Sequence, residues 1–126
     1  MSTDDERRGA GMDVRREVLG DEHVDRANEN ITDITRDFQD FITRYAWGDV
    51  WSRPGLDRRL RSTVTITALI AHGHWAELGM HLRAAIRNGL SREEVSEIIL
   101  QCGLYCGVPA ANSAFQIAQE VFGSDD

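Results

Sequence analysis

His74, Glu77 and His81 stand three and four residues apart within His74-Trp-Ala-Glu-Leu-Gly-Met-His-Leu-Arg-Ala-Ala-Ile86. On a helix this spacing sets two imidazoles and a carboxylate in one stripe. Proton transfer is the chemistry such a stripe suits, because an imidazole titrates near neutrality and a carboxylate one turn away stabilises its protonated ring and fixes its tautomer. The same three groups could instead hold a divalent metal, making the chain a metal-assisted lyase or hydrolase. A Glu/His pair four apart is also an ordinary hydrogen-bonded pair on a helix surface. Trp75, Leu78, Leu82, Ala85 and Ile86 form an apolar stripe beside the polar one, and Asn88-Gly89 stops the helix. The helix is therefore expected to be internal, its polar stripe facing a cavity.

Other groups with chemical potential are scattered. Trp47 and Trp51 bracket Gly48 ahead of Arg53, and they either plug a core or interface or wall a ligand pocket with Arg53 as its cation. Arg58, Arg59 and Arg61 crowd a helix start, where cations oppose the dipole, so a partner carboxylate is expected there. Cys102 and Cys106, four apart, read as small inert side chains.

Composition removes several classes of function. All 14 basic residues are arginine, so Schiff-base chemistry and lysine-anchored pyridoxal phosphate are excluded. Net charge is -7, with 12 acids and 6 arginines in residues 1–40 and 9 acids and 8 arginines in the rest. No basic stripe is available for a phosphate backbone, which argues against nucleic acid. No run of about 18 or more apolar residues is present and no apolar core follows Met1, a pattern expected of a cytoplasmic protein without a membrane partner. At 126 residues a single domain can bury roughly two-thirds of its unfolded surface without staples.

The elements that must position these groups are helical. Residues 1–10 read as a flexible polar tail, followed by a helix from Met12 to Leu19 ended by Gly20 and a second short helix from Asp21. Ile31, Ile34, Phe38, Phe41, Ile42 and Tyr45 give the apolar stripe of a helix from Asp33 to Trp47, packed on a core. Gly48 to Gly55 reads as a loop. Thr63-Val-Thr-Ile-Thr67 has strand propensity, yet no other segment could pair with it, and Leu60, Val64, Thr67 or Ala68, and Ala71 fit a buried helical stripe. Ser91-Arg-Glu-Glu94 is a capping box opening a helix to Cys106, and Val108-Pro109 opens the last helix, whose Ala110, Ala111, Ser113 and Ala114 allow close approach of a neighbour. The fold class is all-α with about six helices, one domain over residues 11–123.

Specific motifs then carry a resemblance. Arg58-Arg-Leu-Arg-Ser62, Glu77-Leu-x-x-His81-Leu-Arg-Ala-Ala85, Asn88-Gly89, Glu93-Glu-Val-x-Glu97, Gln101 and Tyr105-x-Gly-Val-Pro-Ala-Ala-Asn-Ser-Ala-Phe115 resemble the 4-carboxymuconolactone decarboxylase family. Val14-Arg-Arg-Glu-Val-Leu-Gly20, Asp37-Phe-Gln-Asp-Phe-Ile-Thr-Arg-Tyr-Ala-Trp-Gly48 and Val50-Trp-Ser-Arg-Pro-Gly-Leu-Asp57 resemble the decarboxylase proper rather than its wider superfamily. The resemblance runs over roughly residues 10 to 122. It implies the helical fold of the alkylhydroperoxidase D group, a ring-like homohexamer, and a role in aromatic catabolism through the β-ketoadipate pathway. Peroxidase relatives carry Cys-x-x-Cys-x-x-x-His where this chain has His74-x-x-Glu77-x-x-x-His81, so thiol-based peroxide reduction is not expected.

The implied substrate is an unsaturated lactone dicarboxylate that is its own electron sink, so no cofactor and no metal are expected. Its conversion needs donors at the lactone oxygen, an acid for the carbon beside the carbonyl, and a cation for the carboxymethyl arm. The resemblance makes His81 and Glu77 the catalytic candidates, either of which could deliver the proton. Tyr105 and His74 are candidate donors, Arg53 with Arg58, Arg59 or Arg61 the clamp, and Trp47 and Trp51 the walls. A non-catalytic family member acting as an assembly scaffold is the remaining alternative.

Overall fold

The computed structural model describes residues 3–123, which are helical throughout apart from connections. Seven α-helices and one π-helix occur among them, against an expectation of about six helices. The chain divides into two compact units, Met1–Asp57 and Arg58–Asp126.

The first unit holds α1 (Asp4–Leu19), α2 (Asp21–Glu29), α3 (Arg36–Ile42) and the π-helix π1 (Thr43–Trp51). Helix α1 starts earlier than its apolar pattern suggests, so residues 4–10 are helical rather than a tail. Thr3 Oγ1 accepts from the Glu6 amide at 3.1 Å, and Asp4, Asp5 and Glu6 oppose the positive end of the dipole. Met1 and Ser2 lie outside the described residues.

The expected helix from Asp33 to Trp47 changes register at Thr43, and Gly48 to Trp51, expected as loop, continue it in π form. Thr43 Oγ1 donates to the Gln39 carbonyl at 2.7 Å and Ser52 Oγ to the Gly48 carbonyl at 2.6 Å. Each hydroxyl bonds a carbonyl one turn back, and the Gln39 oxygen accepts from the Thr43 amide as well. Helix α1 packs on π1 through Gly11, whose missing side chain leaves room for the Thr43 carbonyl. The apolar stripe of this region is not on a core: Ile34 is 93% exposed, and Phe38, Phe41 and Tyr45 are exposed as well. The face that packs carries Thr43 and Trp47 instead.

The second unit holds α4 (Arg58–His72), α5 (Trp75–Arg87), α6 (Arg92–Tyr105) and α7 (Val108–Gly123). The threonine-rich run is helical, as expected for a β-branched segment without a strand partner. Its buried side differs from the expected one. Ser62, Ile66 and Ile70 face inward, whereas Leu60, Val64, Thr67 and Ala71 are exposed, because α5, α6 and α7 all pack on the other flank. Ile66, Ile70, Leu78, Leu82, Val95 and Ile99 are the fully buried centre, each contributing roughly 1.5–3 kcal/mol by burial.

Local signals hold where hydrogen bonds are local. The capping box closes reciprocally between Ser91 and Glu94, at 3.0 and 2.9 Å. Asn88 caps α5, and Gly89 follows at φ +107, where only glycine is unstrained. A Cβ on Gly103 would meet the Ala111 Cβ at 3.3 Å, so the small residues of α7 do admit α6 closely.

Candidate active site

Helix α5 carries the central stripe of candidates. Leu78, Leu82, Ala84 and Ala85 are buried, which turns the opposite side of the helix outward. His74 occupies the N-cap position at φ -84, ψ 70; its amide donates to the Leu69 carbonyl at 2.9 Å, and its exposed ring stacks on His72 with centroids 5.8 Å apart. Glu77 lies exposed in the first turn, where its charge also favours the helix dipole by about 0.3–1 kcal/mol. His81, one turn on, is half-buried at the edge of the core. Three hollows of the second unit are lined by residues of α4, α6 and α7 and by Leu90, which precedes α6.

Tyr105 ends α6 and is 79% exposed. It joins Thr63, Thr67, Ile98, Gln101, Cys102 and Cys106 around a hollow of about 230 Å3. The two threonines come from the run whose helical form places residues four apart on one side. The spacing was visible in the sequence; its use as a hollow's wall was not. Burial pushes the Cys102 thiol above the ordinary cysteine range, with a hydrogen bond from Thr67 working weakly against it, so the thiol stays protonated at neutral pH.

Of the arginines that open α4, Arg58 is half-buried at the first position. Arg59 is committed elsewhere: it donates to the Gly89 carbonyl at 2.6 Å and forks onto both carboxylate oxygens of Glu94. Glu94 is thus an intramolecular partner carboxylate for the cluster, and the two hydrogen bonds hold its carboxyl below the usual range.

The remaining candidates belong to the first unit. Trp47 is 6% exposed and Trp51 half-buried, their rings 5.3 Å apart and tilted by 34°. Trp47 therefore fills the packed face of π1. Arg53 follows the π-helix on an exposed turn, its amide bonded to the Val50 carbonyl at 3.1 Å.

Residues 36–120 match the carboxymuconolactone decarboxylase family. The chain belongs to that family. It is 55% identical over 119 residues, 94% of this chain and 89% of the relative, to the 4-carboxymuconolactone decarboxylase of Acinetobacter baylyi. It is 46% identical over 110 residues, 87% of this chain and 77% of the relative, to the nitrosuccinic acid decarboxylase npaB of Metarhizium robertsii. A 4-carboxymuconolactone decarboxylase of Pseudomonas putida is 57% identical over 44 residues, 35% of this chain and 92% of the relative. The family match begins in α3 and ends in α7, so it crosses from the first compact unit into the second. The motifs around Glu77, His81 and Tyr105 fall inside it.

Proposed function

We propose that this family member is a carboxy-lyase that converts 4-carboxymuconolactone to 3-oxoadipate enol-lactone and carbon dioxide. The observation that carries the reading is 55% identity over 94% of the chain to a relative of that name. In the substrate, the ring carbon bearing the carboxylate also bears a carboxymethyl arm and adjoins the ring double bond. As the carbon–carbon bond to the carboxylate breaks, its electron pair moves through that double bond into the lactone carbonyl, giving a furanolate. A proton then adds to the carbon beside the carbonyl. The substrate supplies its own electron sink, so the reaction runs without a cofactor, in keeping with a chain that has no lysine.

His81 and Glu77 handle the proton, one as donor to carbon and the other as the group that orients it. Tyr105 and His74 supply hydrogen bonds to the developing oxyanion, Arg53 or Arg58 holds the carboxymethyl arm, and Trp47 and Trp51 exclude water. Residues 11–123 act as one carboxymuconolactone decarboxylase domain, a reading supported by a family match that spans both units. The enzyme works in the cytoplasm, in the protocatechuate branch of aromatic catabolism; no described helix is long and apolar enough to cross a membrane.

The working form is a homo-oligomer, taken as a hexamer. Ile34, Phe38, Phe41 and Tyr45 in the first unit, and Leu60, Val64, Leu100, Leu104 and Val108 in the second, are exposed apolar side chains that neighbouring copies would cover. Phe38→Asp is expected to lower the mass measured in solution.

A second reading is favoured by the 46% identical nitrosuccinic acid decarboxylase. Nitrosuccinic acid is also a dicarboxylic acid losing carbon dioxide beside an acceptor group, with nitro in place of the conjugated lactone. Parallel assays with both acids, the lactone followed by its ultraviolet absorbance without added metal, decide between them. Turnover of the lactone at a kcat/KM well above that for nitrosuccinate is expected. Turnover of neither would end the decarboxylase reading.

A further inference from the structure

Arg15 is the most buried cation of the first unit, 7% exposed, on the α1 face that also carries Gly11 and Val18. Five other arginines of the first unit pair with acids, while Arg44 Nε is, like Arg15 Nε, buried without an acceptor. Arg7 pairs with Asp4 and Asp49, Arg8 with Asp40, Arg16 with Asp21 and Asp25, Arg26 with Glu22, and Arg36 with Asp33. Residues 1–40 contain twice as many acids as arginines. Yet among the described residues Arg15 has no carboxylate within ion-pair distance. Its Nη1 donates to the neutral Gln39 Oε1 at 3.3 Å, and its Nε is buried without an acceptor. A guanidinium cannot shed its proton to escape the cost of burial. Desolvation and the neighbouring Arg16 both hold the Arg15 side chain below its ordinary value, with no acid acting in the opposite sense.

We propose that Arg15 is a binding residue for a carboxylate from outside the chain, namely the carboxymethyl carboxylate of the small dicarboxylate on which the enzyme acts, shared with the Arg53 or Arg58 assigned to it above. The inference rests on the decarboxylase reading for the identity of the ligand. Two arguments support it. A buried guanidinium without a counter-ion gains most from an anion that arrives desolvated and can accept two of its hydrogens. Gln39 lies one turn before Thr43, where the backbone widens into π form, a distortion that is frequent at functional sites.

The test uses the full chain and succinate as the probe. At constant ionic strength, with sodium chloride as the control, succinate is expected to raise the thermal midpoint of the wild type and to have no effect beyond chloride on Arg15→Met. Arg15→Lys keeps the charge without the fork and should retain a reduced response, which also covers the case in which Arg15→Met fails to fold. With the lactone as substrate, Arg15→Met should raise KM about tenfold or more with a smaller change in kcat. Equal succinate responses in wild type and both variants overturn the proposal. So does a fall in solution mass in Arg15→Met with KM unchanged, which assigns the missing carboxylate to another copy of the chain. An Arg15-dependent succinate response in an enzyme that does not turn over the lactone would leave this site standing while removing the decarboxylase reading.

Discussion

Gly11 and Thr43 meet backbone to backbone: a Cβ added to Gly11 would overlap the Thr43 carbonyl oxygen and come to 3.0 Å from the Gly48 nitrogen. Neither partner is a flexible side chain, so the clash has no inexpensive relief. Gly11→Ala is expected to destabilise the protein by about 2 kcal/mol or more. Gly9, in the same helix with nothing within 4 Å of its added Cβ, is the control: Gly9→Ala should stabilise by roughly 0.5–1 kcal/mol. Urea midpoints of the two variants, compared at equal slope, check the pair.

Glu94 links stability to pH. Its folded carboxyl is held below the usual value, first by the Arg59 hydrogen bonds and then by the Ser91 amide. A depressed carboxyl contributes stability that is fully present above its unfolded value, near pH ~4.3, and is lost as pH falls through the folded one. Glu94→Gln keeps the capping geometry and removes the charge. The variant should be less stable than wild type above about pH 5, and the difference should close on acidification. A difference that persists unchanged in acid would assign the effect to packing.

The thiols predict an order of labelling. Cys102 is buried and its thiol is pushed up by desolvation, whereas Cys106 is half-buried. Iodoacetamide at neutral pH should modify Cys106 before Cys102, read by peptide mass, and Cys102→Ser should retain decarboxylation.

His81→Ala, with unchanged far-ultraviolet circular dichroism, should lose about 10²–10⁴ in kcat on the lactone. Glu77→Gln should lose activity as well. Near-normal turnover in both would remove α5 from the chemistry.

Local hydrogen-bond chemistry was readable from the residues: Ser91 and Glu94, Asn88 and Gly89, and the missing strand partner for residues 63–67 each point to one structure. The facing of helices was less so. Helix α4 carries Ile66 and Ile70 on one flank and Leu60 and Val64 on another, and only packing against α5, α6 and α7 selects between them. The same ambiguity hid the outward turn of Phe38 and Phe41. The π register at Thr43 coincides with the place where Gly11 of α1 lies against it, a contact between residues more than thirty positions apart. His81 and Glu77 stand out as candidates through spacing and resemblance alone. Arg15 was not, because an arginine on a charged helix ordinarily points to water, and nothing local announces the lack of an acid.

The ladder between Thr43 and Trp51 has room to lose a residue. Dropping one position would let the coil tighten to ordinary pitch, and because a wide turn takes up a residue that a narrow one does not, the side chains beyond it would keep nearly their present direction around the axis. Asp49, which meets Arg7 at 3.1 Å, lies inside the widened stretch, so that contact is where a deletion would be felt first. Length at this place is thus forgiven by the main chain.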